Sequence, residues 1–195
     1  MRVLTWVGVS AISAFLGTTG PRAAGCDPVG NVAFVCDQSG PEDLALVPGS
    51  EWVLSSGMTA GGAIRLVNVR DRTTTVLFPS ATARERLDKK TYDSCPGPID
   101  PAEKDAVQVG FRVDNVRWAP DNTLLAAGQG GTAPSQTSNV AKVDPNSLKF
   151  QELVRHPYGD VLTAGTVAIQ IGKELWVGSV RGDRIAIFPA TPSLP

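Results

Sequence analysis

Two pairs of adjacent oxygen-bearing side chains recur at the same spacing in this sequence. Glu42 begins one pair and Asp43 follows it, while Asp114 begins the other and is followed by Asn115; each pair starts six residues before a proline. Carboxylate and amide oxygens that converge on one point suit a hard cation such as calcium, which takes about six to eight oxygen ligands. The residue types and their spacing therefore predict a calcium site formed by these four side chains.

The same pairs have a structural interpretation. An Asp-Asn pair at the start of a strand often serves as a turn or cap that hydrogen-bonds its own backbone. The shared register of the two pairs favours the ligand interpretation, and a third unit of the chain offers Thr166 and Val167 at the corresponding place. Both interpretations stay open on the sequence alone.

The elements that must position these pairs are short strands. After the N-terminal segment, β-branched and aromatic runs alternate with turns of Gly, Pro, Asp and Asn, and only residues 82–90 are compatible with a helix. The runs predict twelve strands: Val32–Val35, Leu44–Val47, Trp52–Leu54, Ile64–Val69, Thr74–Phe78, Val113–Trp118, Thr123–Ala127, Val140–Val143, Phe150–Val154, Val167–Ile171, Leu175–Val177 and Arg184–Phe188.

The strands group into a repeat. Superposing Pro48, Pro120 and Gly172 brings three hairpins into register, and each has a tight turn and a second run that ends in glycine. Asp-led turns follow the first two hairpins at Asp71 and Asp144, and each joins another pair of strands. Four antiparallel strands per unit indicate a β-propeller blade. The alternative is an all-β sandwich, which also produces such hairpins.

The blade count is low. The strands make about three four-stranded blades, whereas closed propellers typically have about four to eight. We therefore predict an all-β, β-propeller-like fold that is incomplete. Three explanations are open: the blades are incomplete, the chain associates, or part of an ancestral propeller has been lost.

Composition and charge narrow the function classes. The chain has 195 residues, of which 42% are hydrophobic and 19% charged, and this suits one globular domain. We place that domain at residues 26–195. The formal net charge is −1 and the basic residues are scattered, so the sequence has no nucleic-acid footprint.

The N-terminal segment predicts export. Residues 1–25 contain Arg2, a short apolar stretch and then small residues, which is the order of a secretory signal. The stretch is too short and too interrupted for a stable membrane span. A lipoprotein signal cleaved before Cys26 is the less favoured alternative, because Ala23 stands where a lipobox normally has a large aliphatic residue. A buried N-terminal strand or helix is the other alternative.

The cysteines form an odd set. An oxidising compartment allows disulfides, so two of Cys26, Cys36 and Cys95 can pair and one is left over. The spacing does not decide which two, although Cys36 with Cys95 would close the larger loop.

Four segments resemble a known family. They are GPEDLALVPGSEWVLSSG, CPGPIDP, FRVDNVRWAPDNTLLAAG and AGTVAIQIGKELWVGSVRGDRIAIF. They resemble the paraoxonase/arylesterase branch of the senescence-marker-protein and gluconolactonase superfamily, from about Cys26 to about Phe188. The resemblance implies a six-bladed propeller with calcium in its central tunnel and hydrolysis of lactones and aryl esters.

The resemblance also implies residue roles. Glu42 matches the acidic ligand of the catalytic calcium, and Asp43 matches a ligand of a structural calcium. Asp114 and Asn115 match the aspartate and asparagine that complete the catalytic site from a later blade. In the family, calcium polarises the carbonyl group of the substrate while a histidine near the tunnel mouth helps water to attack.

The chain departs from the family in one place. In the family, the CPGPIDP segment is followed by a His-Gly segment and by the middle blades, but here PIDPAEKDA continues directly into VQVGFRVDN. The sequence therefore indicates an internal deletion near Ala106 and Val107. The expected catalytic histidine, further calcium ligands and a cysteine partner would be lost with it, so the catalytic residue is unknown.

Other candidates have simpler interpretations. His156 is the only histidine, and its place in the chain does not match the family's catalytic one, so we expect an exposed or hydrogen-bonded turn residue. The strand tryptophans Trp52, Trp118 and Trp176 are expected to pack between blades rather than to form a ligand platform.

Two functions from different classes follow. The first is a calcium-dependent ester or lactone hydrolase with reduced activity or none, acting on a small molecule. The second is a non-catalytic exported propeller fragment that serves as a binding or assembly module. In that case open strand edges and apolar blade surfaces would favour self-association.

Overall fold

The computed structural model describes residues 25–58, 63–78 and 107–190. These ranges contain strands and turns but no helix, and twelve strands lie where the sequence predicts them. The strands are β1 Ala33–Val35, β2 Pro41–Leu46, β3 Trp52–Gly57, β4 Ile64–Asn68, β5 Thr74–Phe78, β6 Arg112–Trp118, β7 Leu124–Gly130, β8 Thr137–Val143, β9 Phe150–Pro157, β10 Gly165–Ile171, β11 Glu174–Ser179 and β12 Ile185–Pro189.

The strands form three antiparallel sheets of four. The first blade has the order β2-β3-β4-β5, the second β6-β7-β8-β9, and the third β10-β11-β12-β1. Each blade begins with an inner strand, which is β2, β6 or β10. The prediction of an all-β, propeller-like fold with four-stranded blades is confirmed, and the ring is not closed by the described strands.

The third blade is completed by the N-terminal strand. Ala33 pairs with Ile187 and Val35 with Ile185, so β1 is the outermost strand beside β12. The sequence predicted β1 as a strand but not this partner. A disulfide joins Cys26 to Cys36, on either side of β1, with their Cα atoms 6.0 Å apart. Among the pairings left open, Cys26–Cys36 is therefore the one formed, and Cys95 lies outside the described residues.

The third blade lies between the other two. One of its faces carries Ala168 and Val177 and packs on Leu125 and Val140 of the second blade. Its other face carries Ile169 and Trp176 and packs on the first blade through residues that include Leu44 and Val53. The order in space is thus second, third, first, and hydrogen bonds join the two outer blades at their inner strands β2 and β6.

Glycines close the second strand of each hairpin because the backbone leaves no room for a side chain. A Cβ atom at Gly57 would lie 2.5 Å from the Ser39 carbonyl oxygen, and one at Gly128 would lie 2.0 Å from that of Arg112. At Gly178 the same atom would lie 2.3 Å from the carbonyl oxygen of Pro41. The recurring glycine of the repeat therefore marks a close approach of chain segments.

Within one chain, the tryptophan prediction is confirmed for one residue and wrong for another. Trp176 is fully buried between the third and first blades. Trp118 is 67% exposed, because it lies on the face of the second blade that points away from the third. Trp52 is half-buried.

Several predictions fall outside the described residues. They are residues 1–24 of the signal, the helix-compatible stretch 82–90 and the join as far as Ala106. Within the described ranges, no helix has the length and apolar character that crossing a membrane requires.

Candidate functional site

Each inner strand is irregular at the position where the sequence places its polar pair. The pairing register shifts between Pro41 and Asp43 in β2, between Val113 and Val116 in β6, and between Gly165 and Val167 in β10. A β-bulge removes a residue from the ladder and redirects its side chain. The residues left over are Glu42, the pair Asp114–Asn115, and Thr166, so the bulges occupy equivalent positions in all three blades.

The bulges bring three blades together at one point. The Asn115 amide nitrogen donates a hydrogen bond to a Glu42 carboxylate oxygen at 3.3 Å. The Thr166 hydroxyl group donates to the Glu42 backbone carbonyl at 2.7 Å. Thr166 is 1% exposed, so this bond is shielded from water. We call Glu42, Asn115 and Thr166 the inner-strand cluster.

Asp43 makes different contacts. Its Oδ1 atom accepts a hydrogen bond from the Arg117 guanidinium group, and it also accepts one from the Leu44 backbone at 2.9 Å. The Arg117 Nε atom reaches the Leu44 carbonyl oxygen at 3.5 Å. A cation at Asp43 would therefore have to compete with the guanidinium charge.

Asp114 is held by its own blade. The Gln129 amide nitrogen donates to Asp114 Oδ2 at 3.1 Å and to the Gly165 carbonyl oxygen at 3.0 Å. The Gln129 amide oxygen in turn accepts a bond from Arg112 at 2.5 Å. Gln129 thus links the bulge of the second blade to the start of β10.

The structure brings two of the four predicted ligands into contact. Glu42 and Asn115 supply a carboxylate and an amide, which are the oxygen donors that calcium prefers. A half-turn of the Asn115 amide would present its oxygen where its nitrogen now contacts Glu42. Within residues 25–58, 63–78 and 107–190, no group of three His, Cys, Asp or Glu side chains gathers around one point. The pair therefore fits part of a calcium shell, and Asp43 and Asp114 are engaged elsewhere.

A cavity opens at the same end of the third blade. It has a volume of about 540 Å³ and is lined by residues 159–163 and 179–184. Gly165, at the start of β10, pairs with Ser179 in the cavity wall, and Gly40 donates a backbone bond to Gly182 at 2.7 Å. The cavity is therefore joined directly to the segment that leads into Glu42.

Charged groups line this cavity. Arg184 donates to Asp183 at 2.6 Å, and this bond lowers the pKa of the exposed Asp183 carboxyl group. Asp183 thus keeps its charge over a wider pH range than a free aspartate. Arg181 adds a further cation to the lining.

His156 lies away from the inner-strand cluster. It belongs to β9, the outermost strand of the second blade, where its Nδ1 atom is 2.7 Å from the Pro157 carbonyl oxygen. Its ring centroid is 6.1 Å from that of Phe188. The expected hydrogen bond is confirmed, whereas the prediction of a turn residue is wrong, because His156 lies within strand β9.

Sequence reasoning missed two residues that surround the cluster. Arg117 lies between the apolar residues Val116 and Trp118 of β6, and Gln129 follows the glycine that closes the second hairpin. A charged or amide side chain inside an otherwise apolar run was the available signal. Thr166 was aligned with the pairs but was not predicted as part of the site.

The fold and the cluster together define a propeller-like protein with a polar centre at the start of its inner strands. Comparison of the sequence with protein-family models and with curated proteins yields no match.

Proposed function

We propose that this chain is an exported calcium-dependent hydrolase of the lactonase and arylesterase type, with reduced activity on a small ester or lactone. The observation that carries the proposal is the 3.3 Å contact between Glu42 and Asn115, which come from two different blades and lie on equivalent bulges. The resemblance to the paraoxonase branch supports the reaction class. The Cys26–Cys36 disulfide supports export, because disulfides persist in oxidising compartments.

The residues of the chain have separate roles in this proposal. Glu42 and Asn115 would hold the ion, and calcium when bound supplies Lewis-acid polarisation of a carbonyl group. Thr166 positions Glu42 by bonding its backbone carbonyl oxygen. The neighbouring cavity of about 540 Å³ has the size of a small-molecule pocket, for which about 300–1,000 Å³ is typical.

The expected rate is low for a specific reason. A general base must lie within hydrogen-bond reach of the group that it deprotonates, at about 3 Å between heavy atoms. His156 bonds to Pro157 on an outer strand, and the described residues around Glu42 and Asn115 include no other imidazole. Water attack would therefore lack the assistance that the family histidine gives.

Hydrolysis of phenyl acetate and of a simple lactone in millimolar calcium tests the proposal. We expect slow, chelator-sensitive turnover that Glu42→Gln reduces by about 10- to 100-fold, the usual effect of losing a ligand or its support. Glu152→Gln is the matched control, because Glu152 pairs with Arg155 on the outermost strand of the second blade. Absence of turnover in the wild-type protein, or equal loss in both variants, contradicts the proposal.

Calcium calorimetry on the same proteins separates binding from catalysis. We expect a dissociation constant of about 10⁻⁴–10⁻³ M, since weak sites have incomplete protein shells. Asn115→Ala should abolish the binding heat, whereas Asn146→Ala, in an exposed turn, should leave it unchanged. Tight binding that Asp114→Ala abolishes would show instead that Asp114 leaves Gln129 and completes the shell.

The second candidate function is a non-catalytic binding or assembly module. The observation that favours it is the exposed apolar surface of the two outer blades, where Trp118 is 67% and Phe78 51% exposed. Calcium-independent self-association together with the absence of hydrolysis would support this function over the first.

A further inference from the structure

The blades at both ends of the series expose an apolar face. The face of the first blade that points away from the third carries, in register, Ala45, Leu54, Ile64, Leu66 and Phe78. Ile64 is 40% and Phe78 51% exposed, and none of the five belongs to a buried cluster. We call these five residues the open face of the first blade.

The second blade has a corresponding face. Its side away from the third blade carries Val116, Trp118, Leu124 and Phe150, of which Trp118 is 67% and the valine and phenylalanine are each 44% exposed. We call these four residues the open face of the second blade. Val109 packs on a neighbouring part of this side, against Ala141 and Val143, and leaves the four residues at least partly exposed.

Equivalent positions of the three blades show what such a face packs against. The first residues of the three pairs are Glu42, Asp114 and Thr166. Two positions further along the chain lie Leu44, Val116 and Ala168, respectively. Leu44 and Ala168 are both 0% exposed, because each packs on the blade that precedes it in space, whereas Val116 is 44% exposed. Val116 is therefore a blade-contact position whose preceding blade is missing from the described chain.

On the opposite face of the blades, burial likewise depends on whether a neighbouring blade is present. The next residues in the chain are Ile169, which follows Ala168, and Ala45, which follows Leu44. Ile169 is 6% exposed because it packs on the following blade, whereas Ala45 is exposed. The open face of the first blade thus corresponds to the face of the third blade that packs on the following blade. The open face of the second blade corresponds to the face of the third blade that packs on the preceding blade.

We propose that a second copy of this chain covers both faces in a twofold dimer that closes a six-bladed ring. The open face of the first blade in each copy packs on the open face of the second blade in the other, and this repeats the contact between the third and first blades within one chain. Closed propellers have about four to eight blades, so with the three blades that the described residues of each chain form, only two copies give a number in that range. Twofold closure is also the commonest symmetry of soluble oligomers.

The ring has a consequence for the inner-strand cluster. All inner strands begin at one end of the central channel, so a twofold axis along the channel brings a second set of Glu42, Asn115 and Thr166 to the same end. The proposed ion site, to which one chain contributes the two side chains of Glu42 and Asn115, would then have four protein ligands. The dimer itself rests on the blade faces and does not depend on the proposed hydrolase activity.

Sedimentation velocity on the oxidised full chain measures the assembly. We expect twice the mass of one chain at micromolar concentration, and Trp118→Asp should raise the dimer dissociation constant at least about 30-fold, as expected for a central interface tryptophan. Val29→Asp is the matched control, since Val29 is 52% exposed beside β1 and belongs to neither open face. Circular dichroism checks that both variants keep their strands. A monomeric wild-type chain, or open-ended polymers, would overturn the proposal.

Engineered disulfides test which faces meet. Ala45→Cys and Val116→Cys are made in separate chains in a Cys95→Ser background and are then co-expressed. We expect cross-linked pairs in the mixture and none from either variant alone, because a closed ring joins unlike faces. Cross-linking within one variant, or none in the mixture, contradicts the twofold ring.

Discussion

At the scale of single residues, the best-defined electrostatic contact is the ion pair between Lys142 and Asp121. The Lys142 side chain is 6% exposed and its ammonium group lies 2.5 Å from Asp121 Oδ2, while the aspartate side chain is 44% exposed. The hydrogen bond from Lys142, followed by that from Thr123, lowers the pKa of Asp121 to about 2. The charge on Lys142 is therefore compensated by a single carboxylate at the surface.

Removing that carboxylate should destabilise the fold. We expect Asp121→Asn to lower the free energy of unfolding at pH 7 by about 1–3 kcal/mol, because a buried ammonium group would lose its counter-charge. Adding Lys142→Met should recover most of the loss, since the double variant buries no charge. Urea denaturation measures both, and equal losses in the single and double variants would contradict this explanation.

The same pair has a defined pH dependence. Because the folded pKa of Asp121 lies below its unfolded value, the stabilisation is present above about pH 4 and is lost as pH falls through about 2. The carboxylate is partly exposed, so solvent screening reduces the effect to about 1 kcal/mol. The difference between the urea midpoints of wild type and Asp121→Asn should thus narrow as the pH falls from 4 to 2.

At the scale of elements, the hairpins combine a bulge on the inner strand with a glycine on the second strand. The bulge redirects Glu42, Asn115 or Thr166, and the glycine lets another backbone segment come close. Sequence periodicity detected both parts of this motif, as a polar pair before the turn and a glycine after it. The Arg117–Asp43 pair was missed, because its partners belong to different blades.

Replacing one of these glycines tests the close approach. We expect Gly128→Ala to lower the free energy of unfolding by about 2–4 kcal/mol, since overpacking against backbone atoms cannot be relieved by a rotamer change. The new Cβ atom would lie 2.0 Å from the Arg112 carbonyl oxygen. Gly159→Ala is the control, because its Cβ atom would meet nothing within 4 Å. Thermal or urea unfolding that shifts equally for both variants would argue against the steric explanation.

At the scale of the whole molecule, the two ends of the described chain are joined in one blade. β1 pairs with β12, and Phe34 on β1 is 1% exposed in the cluster between the second and third blades. The Cys26–Cys36 disulfide holds the segment that contains β1. The N-terminal strand therefore contributes both a sheet edge and core volume to the last blade.

The Cys26–Cys36 disulfide should stabilise the pairing of β1 with β12. We expect Cys26→Ala/Cys36→Ala to lower the free energy of unfolding by about 2–3 kcal/mol, the loop-closure entropy of a short cross-linked loop. The wild-type protein should lose a similar amount when a reductant is added, and the double variant should show no further loss. Sensitivity of the double variant to reductant would assign the effect to another thiol.

The strands, their grouping in fours and the register of the polar pairs could all be predicted from the amino-acid sequence. Alternating side chains and turn residues act over a few positions, so these features are local and repeat visibly along the chain. The equivalence of Glu42, Asp114 and Thr166, six residues before Pro48, Pro120 and Gly172, is confirmed by the three bulges.

Contacts between residues that lie far apart in the chain could not be predicted from the sequence and are seen in the folded protein. The pairing of β1 with β12 closes the third blade, whereas the contact between Asn115 and Glu42 and the exposure of Trp118 depend on the blade order second, third, first. No local period encodes that order, because it follows from the apolar faces that each blade can bury against another. The physical reason is that burial between blades is non-directional, so it becomes specific only when whole faces meet.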